Sequence, residues 1–204
     1  MPRTAARGGP QTRARISDVA TQLFLERGFD AVTVAEVARE AGVSSVTVFK
    51  HFPRKEDLLL DRADDATDLL RTAVRGSTDV LASLREATLR LADDRHALSG
   101  LKDGSVPFFV TVAASPALIG RAREIADELQ QTVVEELSGD PASGNSAFDG
   151  DAALLAAFLI AGYTTVLTGT ARRLMAGDTP DDVAEDHRTR VDHLFDKLRN
   201  GFAG

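Results

Sequence analysis

Residues 33–57 read TVAEVAREAGVSSVTVFKHFPRKED. Thr33 precedes an apolar-patterned run, and Glu36 stands three positions on. That spacing predicts a capping box, in which the Thr hydroxyl accepts from the start of a helix and the Glu carboxylate reaches back. Val34, Val37 and Ala38 give this helix an apolar edge, and Gly42 breaks it. Ser44 is placed to cap a second short helix, from which Val48 and Phe52 face inward before Pro53 closes it. Two short helices joined by a tight Gly-containing turn are a helix-turn-helix. Ala38 is small where the helices must approach, and Gly42 can take the positive φ that the turn needs. The second helix of such a pair can enter the major groove of DNA with its early residues at base edges. Lys50, His51, Arg54 and Lys55 then fall where phosphates would flank it.

The flanking sequence supports a nucleic-acid partner. Ile16, Val19, Ala20, Leu23 and Phe24 recur at the spacing of one helix face. Gly28 is placed to end that helix. The whole chain of 204 residues has a net charge of −7, but the charge is uneven. Residues 1–60 carry a net +2 and residues 61–204 a net −9. Arg3, Arg7, Arg13 and Arg15 form a basic arm with no acid among the first fifteen residues. The pattern is that of a small polyanion-binding head on an acidic body.

Residues 13–60 resemble the DNA-binding domain of the TetR family of bacterial transcriptional regulators. The resemblance rests on AGVS at 41–44, then four residues, then FKHF at 49–52 and KEDL at 55–58. It covers about a quarter of the chain. It implies that Thr33 caps the second helix and touches a phosphate, and that Ser45, Val46 and Thr47 form the base-reading start of the recognition helix capped by Ser44. It implies contacts from Lys50 and His51 to backbone or bases, and from Lys55 to a phosphate. Two positions depart from the family pattern. Phe49 stands where Tyr is usual, which removes a hydroxyl contact to phosphate. Arg54 stands where a small capping residue is usual, and its charge can add a phosphate contact instead.

The rest of the chain also reads as helix. A helix is expected from about Lys55 to Arg75, and another from Ser77–Asp79 to about Asp94. A further one lies around Leu101–Ala113, with Pro107 at its start or at a kink. Ser115–Pro116 and Thr179–Pro180 each give a cap followed by Pro in the first turn. They open helices to about Leu137 and Asn200. Residues 138–150 are a turn-rich loop. Asp151 opens a long apolar helix that includes twenty uncharged residues from Ala152 to Ala171. That length would span a bilayer, but its four Thr, two Gly and many Ala favour a helix buried on most of its circumference in a helical protein. The count is nine helices, the number the resemblance implies.

The expected architecture is all-α. Residues 1–54 form the arm and the three-helix DNA-binding domain, and residues 55–204 a helical effector-binding and dimerisation domain. Phe108, Phe109, Phe158 and Tyr163 are candidates to line an apolar cavity, with Tyr163, Thr164 and His96 as hydrogen-bonding anchors. The expected ligand is small and largely apolar. Leu155, Leu159 and Val166 on the apolar helix, with Leu194, Phe195 and Leu198 on the last helix, are the candidate dimer interface. Paired across a two-fold they would make a four-helix contact, and Ala156, Ala157, Gly162 and Gly169 would let backbones approach.

Other chemistry is thin. The absence of Cys excludes a disulfide framework, a thiolate nucleophile and Cys-ligated metal. His187 and His193 are not at the i, i+4 spacing of paired ligands and read as solvated groups on a helix. Asp64–Asp65 and Asp93–Asp94 point apart on helices and read as solvent faces. No phosphate-binding Gly loop or nucleophile elbow occurs, so neither a catalytic site, a cofactor nor a metal is expected. The basic N-terminus lacks the apolar core of a secretory signal, and a cytoplasmic homodimer bound to duplex DNA, away from membranes, is expected. The function read from the sequence is that of a DNA-binding regulator, a repressor relieved by a ligand. The alternative is a helical ligand-binding or scaffolding protein whose head no longer binds DNA.

Overall fold

The computed structural model describes residues 9–138 and 149–201, with the backbone alone at 149–150. The outer arm residues Arg3 and Arg7, and most of the turn-rich loop, lie outside the described residues. Among those described there are nine α-helices and no strand. They are α1 (Gly9–Arg27), α2 (Val34–Glu40), α3 (Ser45–His51), α4 (Ala63–Val74), α5 (Val80–Asp93), α6 (Ser105–Ala114), α7 (Pro116–Ser138), α8 (Asp149–Met175) and α9 (Pro180–Asn200). Short 3₁₀ turns occupy Glu56–Leu58 and Ala97–Ser99. The chain folds into two compact units. One runs to Asp61 and takes in Val110–Ala122; the other holds Arg62–Phe109 and Arg123 onward.

In the first unit, α1, α2 and α3 enclose Ile16, Ala20, Phe24, Val37, Ala38, Val48 and Phe52, all buried. The Phe24 and Phe29 rings meet at 5.0 Å between centroids. Gly42 has φ +64° in the turn between α2 and α3, a conformation that a side chain would strain. The single helix expected from Lys55 to Arg75 is instead interrupted. Leu58 and Leu59 are drawn into the core of this unit. Asp61 is tied to α1, its carboxylate accepting from Ser17 Oγ at 2.5 Å and its carbonyl from Arg13 Nη2 at 3.4 Å. The chain therefore makes one 3₁₀ turn, bends over 59–62 and starts α4 at Ala63.

In the second unit, α4, α5, α7, α8 and α9 share a core that includes Val74, Leu84, Val133, Leu159, Val191 and Phe195. Asp79 caps α5 by accepting from Ala82 N at 3.0 Å and also receives Arg199 of α9 at 2.9 Å. Arg75 grips Glu136 through two bonds of 2.7 Å. Such exposed pairs add little stability singly, but they fix which helices are neighbours. α8 and α9 pack closely where α8 has glycine. A Cβ at Gly162 would run into Leu194, and one at Gly169 into the Arg190 guanidinium. These glycines, expected to serve a contact between subunits, serve the α8–α9 contact within the chain.

α8 departs from expectation in a second way. It was expected to be buried on most of its circumference. In its most apolar window, of mean hydropathy 1.8, only 22% is buried in the chain. By length and composition it is long and apolar enough to cross a membrane. Leu159 and Val166 face the unit's own core, while Leu154 and Phe158 are 57% and 50% exposed.

Candidate nucleic-acid interface

The two helices that carry the candidate interface have only seven residues each. Helices this short do not hold in isolation, so caps and core must fix them. Thr33 Oγ1 accepts from Glu36 N–H at 3.2 Å, and Glu36 Oε2 accepts from Thr33 N–H at 2.8 Å. This is the predicted capping box. Glu36 Oε2 also takes the Thr33 hydroxyl at 2.8 Å, and Oε1 takes Arg27 at 2.7 Å. The Arg27 bond, with the two Thr33 bonds behind it, holds the Glu36 carboxyl down at about 2. Both donors of Thr33 are thus engaged locally in this structure.

Ser44 caps α3, accepting from Thr47 N–H at 3.1 Å, and the two hydroxyls lie 2.9 Å apart. Val48 anchors the inner face. The opposite face presents Val46, 79% exposed, and Phe49, 50% exposed. Lys50 and Arg54 are exposed, and Ser45, Thr47 and His51 partly so. From Ala41 to Lys55 the chain has three Lys or Arg and no acid. The structure thus brings the candidate DNA-contacting residues of α3 together on one exposed, basic-flanked surface.

Lys55 sits differently. Its ammonium donates to Phe29 O at 2.6 Å and lies over the Phe29 ring at 4.2 Å and the Phe24 ring at 5.7 Å. Burial lowers its pKa, against the pull of Asp30. It braces the loop after α1 as well as carrying charge. Arg54 does not cap the following turn through its side chain. Its backbone N–H donates to Asp57 Oδ2 at 3.2 Å, and Asp57 Oδ1 receives Arg121 at 2.8 Å. The sequence reading missed Arg13 as a structural cation; its guanidinium stacks over Phe52, 4.8 Å from the ring centroid.

The candidate ligand residues are only partly gathered. Phe108 and Phe109 pack edge to face at 5.6 Å, and Phe109 joins the Leu101, Leu174 and Val183 cluster. Tyr163 donates to Leu98 O at 3.2 Å, and burial pushes its phenol up. His96 caps the Ala97–Ser99 turn by accepting from Leu98 N–H at 3.2 Å. Phe158 and Thr164 lie on the exposed face of α8. None of the six lines the pocket of about 300 Å³ between α5 and α9, which Leu81, Leu89, Arg85, Phe195 and Arg199 border.

One expectation is corrected here. His187, expected to be solvated, is 0% exposed, with Tyr163 edge to face at 6.2 Å. Thr170 Oγ1 lies 3.1 Å from Val166 O and 2.9 Å from His187 Nδ1. The hydroxyl has one proton. If it goes to Val166, His187 donates from Nδ1 and leaves Nε2 as a buried acceptor without a partner among the described residues. Burial, with Arg190 adding to it, lowers the imidazole pKa to about 4. Val183, His187, Val191 and Phe195 recur every four residues, so the buried stripe was present in the sequence. His193 is exposed. Among the described residues no three acidic or His side chains gather to hold a metal.

Residues 16–61 match the family model for bacterial regulatory proteins of the tetR family. The HTH-type transcriptional regulator YdeS of Bacillus subtilis (strain 168) is 40% identical over 76 residues, 35% of this chain and 38% of that protein. The HTH-type transcriptional repressor KstR2 of Rhodococcus jostii (strain RHA1) is 36% identical over 76 residues, 35% of this chain and 37% of that one. The match thus spans less than two fifths of these relatives' own length. Among solved structures, Thermus thermophilus FadR, a TetR family transcriptional repressor in complex with lauroyl-CoA, is 26% identical with a TM-score of 0.56 over 94% of this chain and 95% of that one. NalD, the secondary repressor of the MexAB-OprM multidrug efflux pump in Pseudomonas aeruginosa, is 20% identical with a TM-score of 0.59 over 95% and 97%, a likeness of fold. Residues 16–61, which hold the helix-turn-helix, thus match the tetR family of bacterial regulatory proteins, and the nine helices among the described residues resemble the fold of a TetR family repressor.

Proposed function

We propose that this protein is a DNA-binding transcriptional regulator, a repressor that a small ligand releases from an inverted-repeat operator. The observation that carries the reading is α3, whose outer face presents Val46, Phe49 and Lys50 in an acid-free stretch. Residues 1–54 bind DNA in this reading, and residues 55–204 hold the effector and the dimer contact. The tetR family is one of regulators rather than enzymes, and a cytoplasmic location goes with this reading.

The dimer follows from α8. A monomer with Leu154 and Phe158 half exposed on one helix leaves an apolar face in water. A second copy covers it. Leu155, Leu194 and Leu198 are partly buried and can contribute at its edge. Leu159, Val166 and Phe195 are already covered by their own chain. The two heads then read half-sites in successive major grooves, roughly 34–36 Å apart or a multiple of that.

The effector reading is supported by the relatives, one a structure holding lauroyl-CoA, and by the apolar content of the second unit around Phe109 and Tyr163. To act, the ligand must favour the DNA-free form by a coupling of roughly 1–3 kcal/mol. The test is selection of genomic fragments with the purified protein, followed by footprinting. An inverted repeat protected in both halves is expected. Failure to select any sequence over bulk DNA would overturn the reading.

A further inference from the structure

The outer face of α3 carries an apolar patch between its polar groups. The Thr47 hydroxyl is paired with Ser44 Oγ at 2.9 Å, and Ser44 Oγ also accepts the Thr47 N–H. What stands out from the helix is apolar. Of seven large hydrophobic side chains exposed among the described residues, two, Val46 and Phe49, lie on this seven-residue helix. They are three positions apart, so they share a face with Cβ atoms roughly 5–6 Å apart. Lys50 and Arg54 flank them with positive charge and α3 carries no acid, so the patch is complementary to a polyanion. In the major groove one apolar group projects from the base edges, the C5-methyl of thymine.

We infer that Val46 and Phe49 together read thymine methyl groups, and that Phe49 is a specificity-determining residue at the bases rather than a contact to the backbone. This rests on the DNA-binding reading above and adds the chemistry of its sequence preference. Base steps rise by roughly 3.4 Å along a strand. Two side chains roughly 5–6 Å apart therefore meet methyls on bases no more than about two steps apart. Phe49 lacks the hydroxyl with which a Tyr would bond a phosphate oxygen. Its ring gains instead by excluding water from a methyl. Burying one methyl corresponds to about fourfold in affinity.

The test uses the full-length protein and duplexes carrying its selected operator. Each thymine is replaced singly by uracil, which removes the methyl and leaves every hydrogen-bonding group of the base. Two replacements in each half-site, within two base steps of each other, should weaken binding by about fourfold each. Val46→Ala should become insensitive to one of them, and Phe49→Ala to the other. Circular dichroism of both variants shows that the fold is kept, since both side chains project from the surface. Phe49→Tyr gives an independent arm. If it tightens binding to operator and scrambled duplexes alike, with the uracil pattern unchanged, the ring is at the phosphates and the inference fails. Operator preference that persists with every thymine replaced by uracil would overturn methyl reading while leaving DNA binding intact. Failure to prefer any duplex would overturn both. If the Val46 and Phe49 variants change the oligomeric state and not the uracil pattern, the patch meets protein and the inference also fails.

Discussion

The two units hold their helices by different means. In the first, α2 and α3 have seven residues each, and their ends are tied by a capping box, a serine cap and the Lys55 bond to Phe29 O. In the second, α8 and α9 run for 27 and 21 residues. Their length supplies backbone hydrogen bonds, and their stability comes from apolar stripes. A short helix fixed at both ends leaves little choice of what its outer face meets. A long one with several apolar faces can satisfy its own chain and still leave apolar surface exposed, as α8 does at Leu154 and Phe158.

Charge on that surface should break the second unit's association first. Leu154→Lys with Phe158→Lys should convert a dimer to a monomer at micromolar concentration, as read by light scattering. Losing one of two linked heads should weaken operator binding between a hundred- and ten-thousandfold. A dimer that survives the double change would show that another face is used.

The units should also part in acid. His187 titrates at about 4 in the fold, against an ordinary value of 6.5. Above 6.5 it is neutral in folded and unfolded chains alike. As pH falls from 6.5 to 4 only the unfolded chain takes up the proton, so stability is lost across that window, by up to roughly 3 kcal/mol. Glu36 shifts in the same direction but over a more acidic window, held at about 2 against 4.5. Its contribution is complete above 4.5 and fades only as pH falls from there toward 2. Hydrogen exchange from pH 7 to 5 should therefore loosen α8 and α9 while leaving α2 protected. His187→Phe should remove the pH 4–6.5 component of the second unit's stability curve.

Local chemistry made the head legible. Thr33, Glu36, Gly42 and Ser44 each do in the structure what their spacing predicted, because caps and turns act over three or four residues. The break after Leu59 was not legible in the same way. Asp61 is held by Ser17 and Arg13, 44 and 48 residues away, and no local pattern announces that. In the body, starts at Pro116 and Pro180 were legible from Ser115 and Thr179, but facing was not. Leu159 and Phe158 are adjacent in an unbroken apolar run, and only the packing of α9 against α8 decides which is buried. His187 was misread because its ring was weighed by polarity rather than by its place every four residues along a buried stripe.

Smaller changes sharpen the contrast within the head. Thr33→Ala removes one side of the capping box and should cost about 1 kcal/mol, read as a lowered denaturation midpoint. Lys50→Ala should leave stability unchanged and reduce the slope of log affinity against log salt by roughly one unit. Lys55→Ala should instead weaken the fold as well, since its ammonium also bonds Phe29 O. Equal stability of the Lys50 and Lys55 variants would show that the bond to Phe29 is without weight.

The glycines of α8 have a consequence for how such proteins diverge. A side chain at Gly162 or Gly169 must displace Leu194 or Arg190, so the face toward α9 tolerates little drift. Leu154 and Phe158 stand clear of that constraint. Descendants of one duplicated gene can therefore exchange these two residues freely and keep the same fold. In the proposed dimer, that route would let sister proteins in a single cell stop forming mixed pairs, so that their regulatory circuits separate before their architecture changes.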